Sequence, residues 1–348
     1  AGEGREAASL DIWNTLAGSG VGAALGLSGG CAASPLAGLL IAPLFALPFI
    51  LPAELSEARR GRVDLERLKS YAVYGYPIAA SLGLALVLAS TDRFLLALFL
   101  NEAAVGAYHA GYSIANRTLD VLFIWLGTAG TPALVMALER GGRDQLTAAA
   151  REQASTLILI GLPAAVGVAL VARPLAEFMI GEDLRDAAIL VTPWVALSAL
   201  LSGLTVYYFH QAFTLGRRTG WLLAAMSVPA LSNVALNILL IPRFGVVGAA
   251  WATAASFAIG LVASWGMGRP IMPPPLPWTT LFKCSLCAGV MAVAVWFLPP
   301  IGGFPELMLD ASVGAAVYGV CAFALNAGGV RDLARRLRSA LHARRAAA

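Results

Sequence analysis

About ten apolar stretches, most of them near 20 residues long, alternate with short charged loops along this chain of 348 residues. A helix needs about 20 apolar residues to cross a hydrocarbon core of ~30 Å. Lipid offers the backbone no hydrogen-bond partners, so such segments fold as helices. Charged residues make up only 13% of the chain, about half the share typical of soluble domains. We therefore predict an all-α polytopic membrane protein with about ten transmembrane helices. The predicted spans are residues 13–32, 34–52, 72–90, 104–137, 154–172, 188–209, 221–241, 245–267, 280–298 and 308–326.

Positive charge falls on alternate loops, as expected of loops on the cytoplasmic side of a membrane. Basic residues cluster in 53–71, between the second and third spans, and again in the tail 328–348. The loop 173–187, on the opposite side, carries four acidic residues against two arginines. We therefore predict that both termini lie in the cytoplasm. The net charge of +4 reflects this topology rather than a surface for nucleic acid.

One predicted span carries a stripe of small residues at every fourth position. The stripe consists of Gly248, Ala252, Ser256, Gly260 and Ser264. Small residues at this spacing let two helix backbones approach closely in lipid, where burial of apolar area drives little association. We expect this helix to pack tightly against a neighbour.

Nothing in the sequence is typical of an enzyme active site. The three histidines are scattered, and no nucleophile has a nearby base. The single CxxC, from Cys284 to Cys287, lies in an apolar run and is interpreted as packing rather than as a metal site. We predict no catalytic residues, no metal and no cofactor. Polar residues inside the spans are then the functional candidates, because they are costly in lipid.

Asp92 and Arg93 stand side by side between two apolar runs. A helix that rises from Ser70 reaches this pair after about 20 residues, at its outer boundary. The pair is interpreted either as an anchor of the helix end or as a transport element.

Further polar residues lie within the predicted spans. Arg117 and Asp120 are three positions apart, on one face of a helix. Together with Asn116 they form a polar patch that we expect to line a cavity. Asn233 and Asn237 are one turn apart in another span, where they either hydrogen-bond between helices or face a cavity.

Two longer segments carry recurrent motifs. The segment YGYPIAASLGLALVLASTDRFLLALFLNEAAVGAYHAGYSIANR contains a Tyr-Gly-x-Pro helix, an Asp-Arg-Phe boundary and Val-Gly-x-Tyr. The segment NVALNILLIPRFGVVGAAWATAASFAIG contains an Asn-bearing helix, Ile-Pro and Gly-x-x-Gly-Ala-Ala. In this order, within residues 71–268, they resemble the second lobe of polysaccharide flippases in the multidrug/oligosaccharidyl-lipid/polysaccharide exporter superfamily.

The resemblance implies two six-helix lobes around a central cationic cavity that opens to one leaflet at a time. On this template the chain is an N-terminally truncated copy that lacks about four helices of the first lobe. The implied divisions are 1–52 for a remnant of the first lobe, 53–71 for a basic cytoplasmic linker, 72–268 for the second lobe, 269–327 for two additional helices and 328–348 for a basic cytoplasmic tail.

The resemblance also implies transport: flipping of an undecaprenyl-diphosphate-linked oligosaccharide across a bacterial cytoplasmic membrane for surface polysaccharide biosynthesis. Arg117 is expected to attract the diphosphate, because guanidinium groups pair with phosphate oxygens through several donors. The implied partners are the lipid-linked glycan, membrane lipids, H⁺ or Na⁺ as a coupling ion and the polysaccharide assembly machinery.

Alternative functions stay open. The same fold serves lipid II flippases and cation-coupled drug exporters, and a drug exporter favours an acidic residue deep in a lobe, for which Asp120 is the candidate. A polytopic membrane glycosyltransferase or polymerase needs paired carboxylates in a large outer loop. The loop 173–187 is too short to hold such a site.

Overall fold

The computed structural model describes residues 16–27 and 64–331 continuously. It also describes isolated positions, namely 34, 37–38, 40–41, 43–44, 47–48, 51–52, 55–56 and 335. The chain divides into two compact units, residues 1–70 and 71–348. In the first unit, helix α1 covers Leu16–Leu27. Parts of the predicted span 34–52 and of the linker 53–71, and most of the tail 328–348, lie outside the described residues.

Between residues 64 and 331 the structure consists of helices and short connections, with no strand in that range. The helices are α2 (Leu65–Phe99), α3 (Glu102–Leu170), α4 (Ala172–Met179), α5 (Glu182–Leu204), α6 (Gln211–Leu215), α7 (Thr219–Gly268), α8 (Trp278–Trp296) and α9 (Gly303–Ala324). A π-helical turn, Thr205–Phe209, joins α5 to α6, and a 3₁₀ turn, Ala327–Gly329, follows α9. In the described part of the chain, six helices are long and apolar enough to cross a membrane.

Two of these helices are hairpins of two spans each. α3 has 69 residues and α7 has 50, more than twice what a ~30 Å core accommodates at about 1.5 Å per residue. Gly142 and Gly245 break them with φ of 63° and 59°, a conformation that favours glycine. The chain reverses at each break, so that Gly130 lies against the Gln153 side chain. The halves are α3a (102–141), α3b (143–170), α7a (219–244) and α7b (246–268).

With these two breaks, each of the eight predicted spans between residues 72 and 326 corresponds to a helical segment. The prediction of an all-α polytopic membrane fold is confirmed. Apolar length identified the segments, and the glycine at each turn identifies where one span ends and the next begins.

The core of residues 71–348 forms around α5, which packs closely against α3 and α7. Close approach depends on small residues: a Cβ on Gly111 of α3a would lie 2.9 Å from the carbonyl oxygen of Ala188 in α5. α2 is not part of this closely packed set. Its buried side chains are Ser81, Leu88, Asp92 and Leu96, so side chains rather than backbone contacts attach it to its neighbours.

All five members of the small-residue stripe of α7b are buried. Its two glycines face the first half of the same hairpin. A Cβ on Gly248 would lie 2.5 Å from the Leu240 carbonyl oxygen, and one on Gly260 would lie 2.8 Å from Pro229 Cβ. The two backbones are therefore too close to accept a larger side chain at either glycine.

Side chains of the short helix α4 contact the first residues of α9. Glu177 Oε2 accepts a hydrogen bond from the Gly303 amide and Oε1 accepts one from Arg173 Nε, both at 2.9 Å. The Gly303 amide, and after it the Arg173 guanidinium, lower the pKa of the Glu177 carboxyl below its usual value. The Phe178 and Phe304 rings pack beside them, with centroids 5.1 Å apart.

We expect Glu177→Gln to lower the thermal unfolding midpoint of the purified protein. A carboxyl whose pKa is lowered by folding stabilises fully above its unfolded-state pKa, and this stabilisation is lost as the pH falls through the folded-state pKa. The difference in midpoint between wild type and variant should thus be constant above about pH 6 and shrink in acid. Glu182→Gln is the matched control, because the Glu182 carboxylate lies 3.7 Å from Arg185 and is 89% exposed. A Glu177→Gln effect that does not change with pH contradicts this account.

Candidate functional site

A buried carboxylate joins four of the spans. Asp92 is 1% exposed and lies inside α2, about two turns before its end. Its Oδ2 accepts hydrogen bonds from Tyr108 OH at 2.7 Å and Thr253 Oγ1 at 2.8 Å, and its Oδ1 accepts one from Asn237 Nδ2 at 2.7 Å. The donors come from α3a, α7b and α7a. Asp92, Tyr108, Asn233, Asn237 and Thr253 are called the Asp92 cluster below.

The Asp92 cluster contains three buried side-chain atoms without a hydrogen-bond partner among the described residues, namely the Asn233 amide nitrogen and two amide oxygens. The oxygens are Asn233 Oδ1 and Asn237 Oδ1. An unsatisfied buried acceptor costs about 1–3 kcal/mol. Carboxylate, amide and hydroxyl oxygens are ligands suited to hard cations. The residues present therefore fit a small cation such as Na⁺, or a proton carried by the Asp92 carboxyl.

Arg93 does not pair with its neighbour Asp92. Consecutive helix residues point about 100° apart, and Arg93 faces α3a on another side of α2. Its Nε donates to His109 Nδ1 at 3.1 Å, and its guanidinium carbon lies 4.8 Å from the centroid of the Tyr112 ring. Asp92 and Arg93, interpreted in the sequence as a boundary pair, thus contact separate groups of residues rather than each other.

The contacts of Arg93 lie at one end of a polar face on α3a. The members recur at spacings of three or four residues, which places them on one side of a helix. Arg117 and Asp120 are exposed and Asn116 is half-buried, with Asn116 Nδ2 donating to the Asp120 carboxylate. The name α3a polar face is used for His109, Tyr112, Ser113, Asn116, Arg117 and Asp120 of α3a together with Arg93, which reaches them from α2.

Two guanidinium groups and one carboxylate give the α3a polar face a net positive charge. In the described part of the chain, no ion pair within 4.0 Å involves Arg93 or Arg117. An exposed, unpaired guanidinium within a membrane span is costly unless it faces water or a ligand. The face is therefore suited to an anion.

The α3a polar face and the Asp92 cluster are neighbours. A cavity of about 200 Å³ is lined by Tyr112, Asn116, Asp120 and the buried His210. The ring centroids of Tyr112 and Tyr108 are 5.7 Å apart, and Tyr108 donates to Asp92. Polar side chains thus continue from the exposed face to the buried carboxylate.

The structure sorts the residues singled out in the sequence into two groups. Asp92, Asn233 and Asn237 are brought together in the core, while Asn116, Arg117 and Asp120 share the exposed face. Sequence reasoning missed five contributors. They are Tyr108, His109, Tyr112, Ser113 and Thr253, and the only signal for them was their position inside the two motif segments.

Residues 7–189, just over half of the chain, match the family model described as polysaccharide biosynthesis protein. The chain is 27% identical over 247 residues to the probable flippase AglR of Haloferax volcanii, covering 68% of this chain and 50% of that protein. It is 24% identical over 219 residues to the probable low-salt glycan biosynthesis flippase Agl15 of the same organism, covering 62% and 45%. The chain thus spans about half the length of the curated relatives it matches.

The fold is similar to that of a solved structure, the lipid II flippase MurJ in an inward closed conformation. The TM-score is 0.71 at 14% sequence identity, and the match covers 90% of this chain and 65% of that one. The helices of the chain thus have a multi-pass membrane fold.

Proposed function

Because this chain belongs to the polysaccharide biosynthesis protein family, we propose that it is part of a flippase for a lipid-linked oligosaccharide. The resemblance noted in the sequence is confirmed at the level of the family. That both relatives from Haloferax volcanii are named as flippases supports transport rather than catalysis. The observation that carries the proposal is the α3a polar face, where Arg117 is exposed within a membrane-spanning hairpin and has no ion pair with any residue that the structure describes.

The proposed cargo is an undecaprenyl-diphosphate-linked oligosaccharide, carried across a bacterial cytoplasmic membrane for polysaccharide biosynthesis. In this arrangement residues 72–268 act as the second lobe and 269–327 as two additional helices, with both termini and the turn at Gly142 on the cytoplasmic side. Arg140 and Arg143 flank that turn, which supports this orientation.

Arg117 is proposed to hold the diphosphate of the cargo. A guanidinium offers five N–H donors in a planar fork that matches phosphate oxygens. Asn116 donates to the Asp120 carboxylate, and this contact holds that negative charge within the α3a polar face, where both residues line the cavity. The glycan is expected to lie in the water-filled space that the exposed face adjoins.

Arg117→Ala in the intact flippase is expected to slow transport at least about tenfold, since charge-assisted hydrogen bonds to phosphate contribute about 1.5–3 kcal/mol. The assay measures movement of a fluorescent polyprenyl-diphosphate oligosaccharide across reconstituted vesicles. Arg140→Ala is the matched control, an exposed arginine at the end of the same hairpin. Equal rates for wild type and Arg117→Ala contradict the assigned role of Arg117.

The Asp92 cluster is proposed to bind the coupling cation, Na⁺ or H⁺. Its support is the buried carboxylate together with the two unsatisfied amide oxygens. A cation there links α2 to both halves of the α7 hairpin, so that binding and release change how α2 is attached. Helix elements that hold Na⁺ or H⁺ near the middle of the membrane are common in secondary transporters.

The positive face favours an anionic cargo over the drug-exporter alternative. The acidic residue deep in the lobe is Asp92, whereas Asp120 is exposed. A buried carboxylate is compatible with cation coupling for either cargo, so it does not discriminate between them. The two arginines of the α3a polar face discriminate between the two cargoes, since they would repel a cationic drug.

A further inference from the structure

The contact between Arg93 and His109 fixes which atoms of this group are donors. The Arg93 Nε–H can only donate, so His109 Nδ1, 3.1 Å away, is the acceptor. The proton of the neutral imidazole then sits on Nε2, which lies 3.2 Å from Ser113 Oγ and donates to it. The Ser113 hydroxyl proton is left free to donate in turn. The chain of hydrogen bonds therefore ends in donors on both sides.

Arg93 itself keeps most of its hydrogen-bonding capacity. Its Nε is used by His109, and its Nη1 donates once to the Ala89 carbonyl oxygen. The other three of its five N–H groups have no partner among the described residues. The Tyr112 ring, 4.8 Å from the guanidinium carbon, fixes the plane of the fork through a cation–π contact. The orientation of the guanidinium is therefore fixed, and three of its N–H groups remain available to a ligand.

A ligand that binds to Arg93, His109 and Ser113 must accept hydrogen bonds and carry negative charge. Phosphate oxygens are acceptors, and bidentate contacts from arginine to phosphate are among the strong charge-assisted hydrogen bonds. No carboxylate within 4.0 Å neutralises Arg93 in the described part of the chain. A cation would be repelled by the positive charge of Arg93.

We propose that Arg93, His109 and Ser113 form a second phosphate-binding site, distinct from Arg117. His109, which Arg93 contacts, and Arg117 are eight residues apart on α3a, about 12 Å along the helix axis, so the two arginines belong to different turns of the polar face. If the bound phosphate is that of the cargo, this inference rests on the proposed flippase function. A phospholipid headgroup offers the same chemistry, and the experiment below separates the two sources.

The test uses the purified full chain in nanodiscs of phosphatidylcholine. The probe is radiolabelled farnesyl diphosphate, a short polyprenyl diphosphate, and the readout is its equilibrium binding. Arg93→Gln is expected to weaken binding about tenfold and Ser113→Ala about threefold, as estimated for one charge-assisted and one neutral donor. Arg93→Lys keeps the charge but loses the stacked fork, so it should fall between wild type and Arg93→Gln. Arg140→Gln is the control that should leave binding unchanged.

A second experiment tests whether the bound phosphate belongs to a lipid headgroup. The nanodiscs contain phosphatidylglycerol in place of part of the phosphatidylcholine, and the phosphatidylglycerol retained after detergent extraction is counted by mass spectrometry. Loss of retention in Arg93→Gln, with farnesyl diphosphate binding unchanged, supports the site and assigns it to lipid headgroups. If neither ligand responds to Arg93→Gln or Ser113→Ala, the site is refuted.

The proposed flippase function and the proposed Arg93 site can be refuted by different results. If wild type binds no farnesyl diphosphate and Arg117→Gln changes nothing, the cargo assignment is wrong, while the phosphatidylglycerol arm still decides the Arg93 site. If Arg117→Gln weakens farnesyl diphosphate binding but no Arg93 or Ser113 variant affects either ligand, the cargo assignment stands and the second site is refuted.

Discussion

Asp92→Asn in the intact flippase is expected to reduce cation-driven transport by about a hundredfold or more, because it removes the one carboxylate that the Asp92 cluster contains. The replacement has nearly the same shape, but its amide group cannot accept from all three donors that Asp92 satisfies. The hydrogen bonds from Tyr108, Thr253 and Asn237 must then rearrange around an amide nitrogen, and a donor left unsatisfied costs about 1–3 kcal/mol in the core. The loss of charge removes the strongest attraction for a cation.

The measurement is transport in reconstituted vesicles with and without an imposed Na⁺ or pH gradient. Asp144→Asn is the matched control, since Asp144 is exposed beside the Gly142 turn. The wild type should respond to one of the two gradients and Asp92→Asn to neither. A variant that transports at the wild-type rate with the same gradient dependence shows that the Asp92 cluster is only structural.

The largest expected effect on stability comes from Gly248→Leu. A Cβ at this position would lie 2.5 Å from the Leu240 carbonyl oxygen and 2.8 Å from its carbonyl carbon. Both are backbone atoms of the facing half of the hairpin, so no rotamer change relieves the clash. The two halves must separate, and we expect a loss of at least about 3 kcal/mol, at the upper end for overpacking.

Gly266→Leu is the matched control, because a Cβ on Gly266 in the same half-helix meets nothing within 4 Å. The thermal unfolding midpoint and the monodisperse fraction after purification are measured for both variants. Gly248→Leu should lower both quantities strongly, and Gly266→Leu should be close to wild type. Similar values for the two variants would mean that α7a and α7b do not pack as closely as the stripe and the structure indicate.

The spans could be predicted because apolar length is a local property of the sequence. The reversals at Gly142 and Gly245 could be placed approximately, since a glycine and charged residues separate the spans there. What apolar length does not give is the angular position of a residue on its helix. Asp92 and Arg93 are adjacent in sequence, and only the packing of α2 shows that one is buried and the other faces Tyr112.

The Asp92 cluster could be predicted only in part for a related reason. Asn233 and Asn237 were recognisable as candidates because amides are rare in apolar spans. Their partner Asp92 is 145 residues away from Asn237, and no local pattern connects the two. Tyr108 and Thr253 are of types that tolerate burial and that occur in many membrane helices, so their residue type alone did not identify them as candidates. Long-range contact, rather than residue type, defines this group.

The wide separation of the Asp92 cluster residues along the sequence has a consequence for biosynthesis. At about 5–20 residues per second, the ribosome needs roughly 7 to 30 seconds after Asp92 to make Asn237, which follows it by 145 residues. Throughout that interval the nascent α2 carries a carboxyl whose amide and threonine partners do not yet exist. Tyr108 follows after only 16 residues, so the tyrosine hydroxyl is the first of these partners to be made. The order of synthesis thus gives Asp92 one early hydrogen bond, and the C-terminal hairpin completes the set when it enters the membrane.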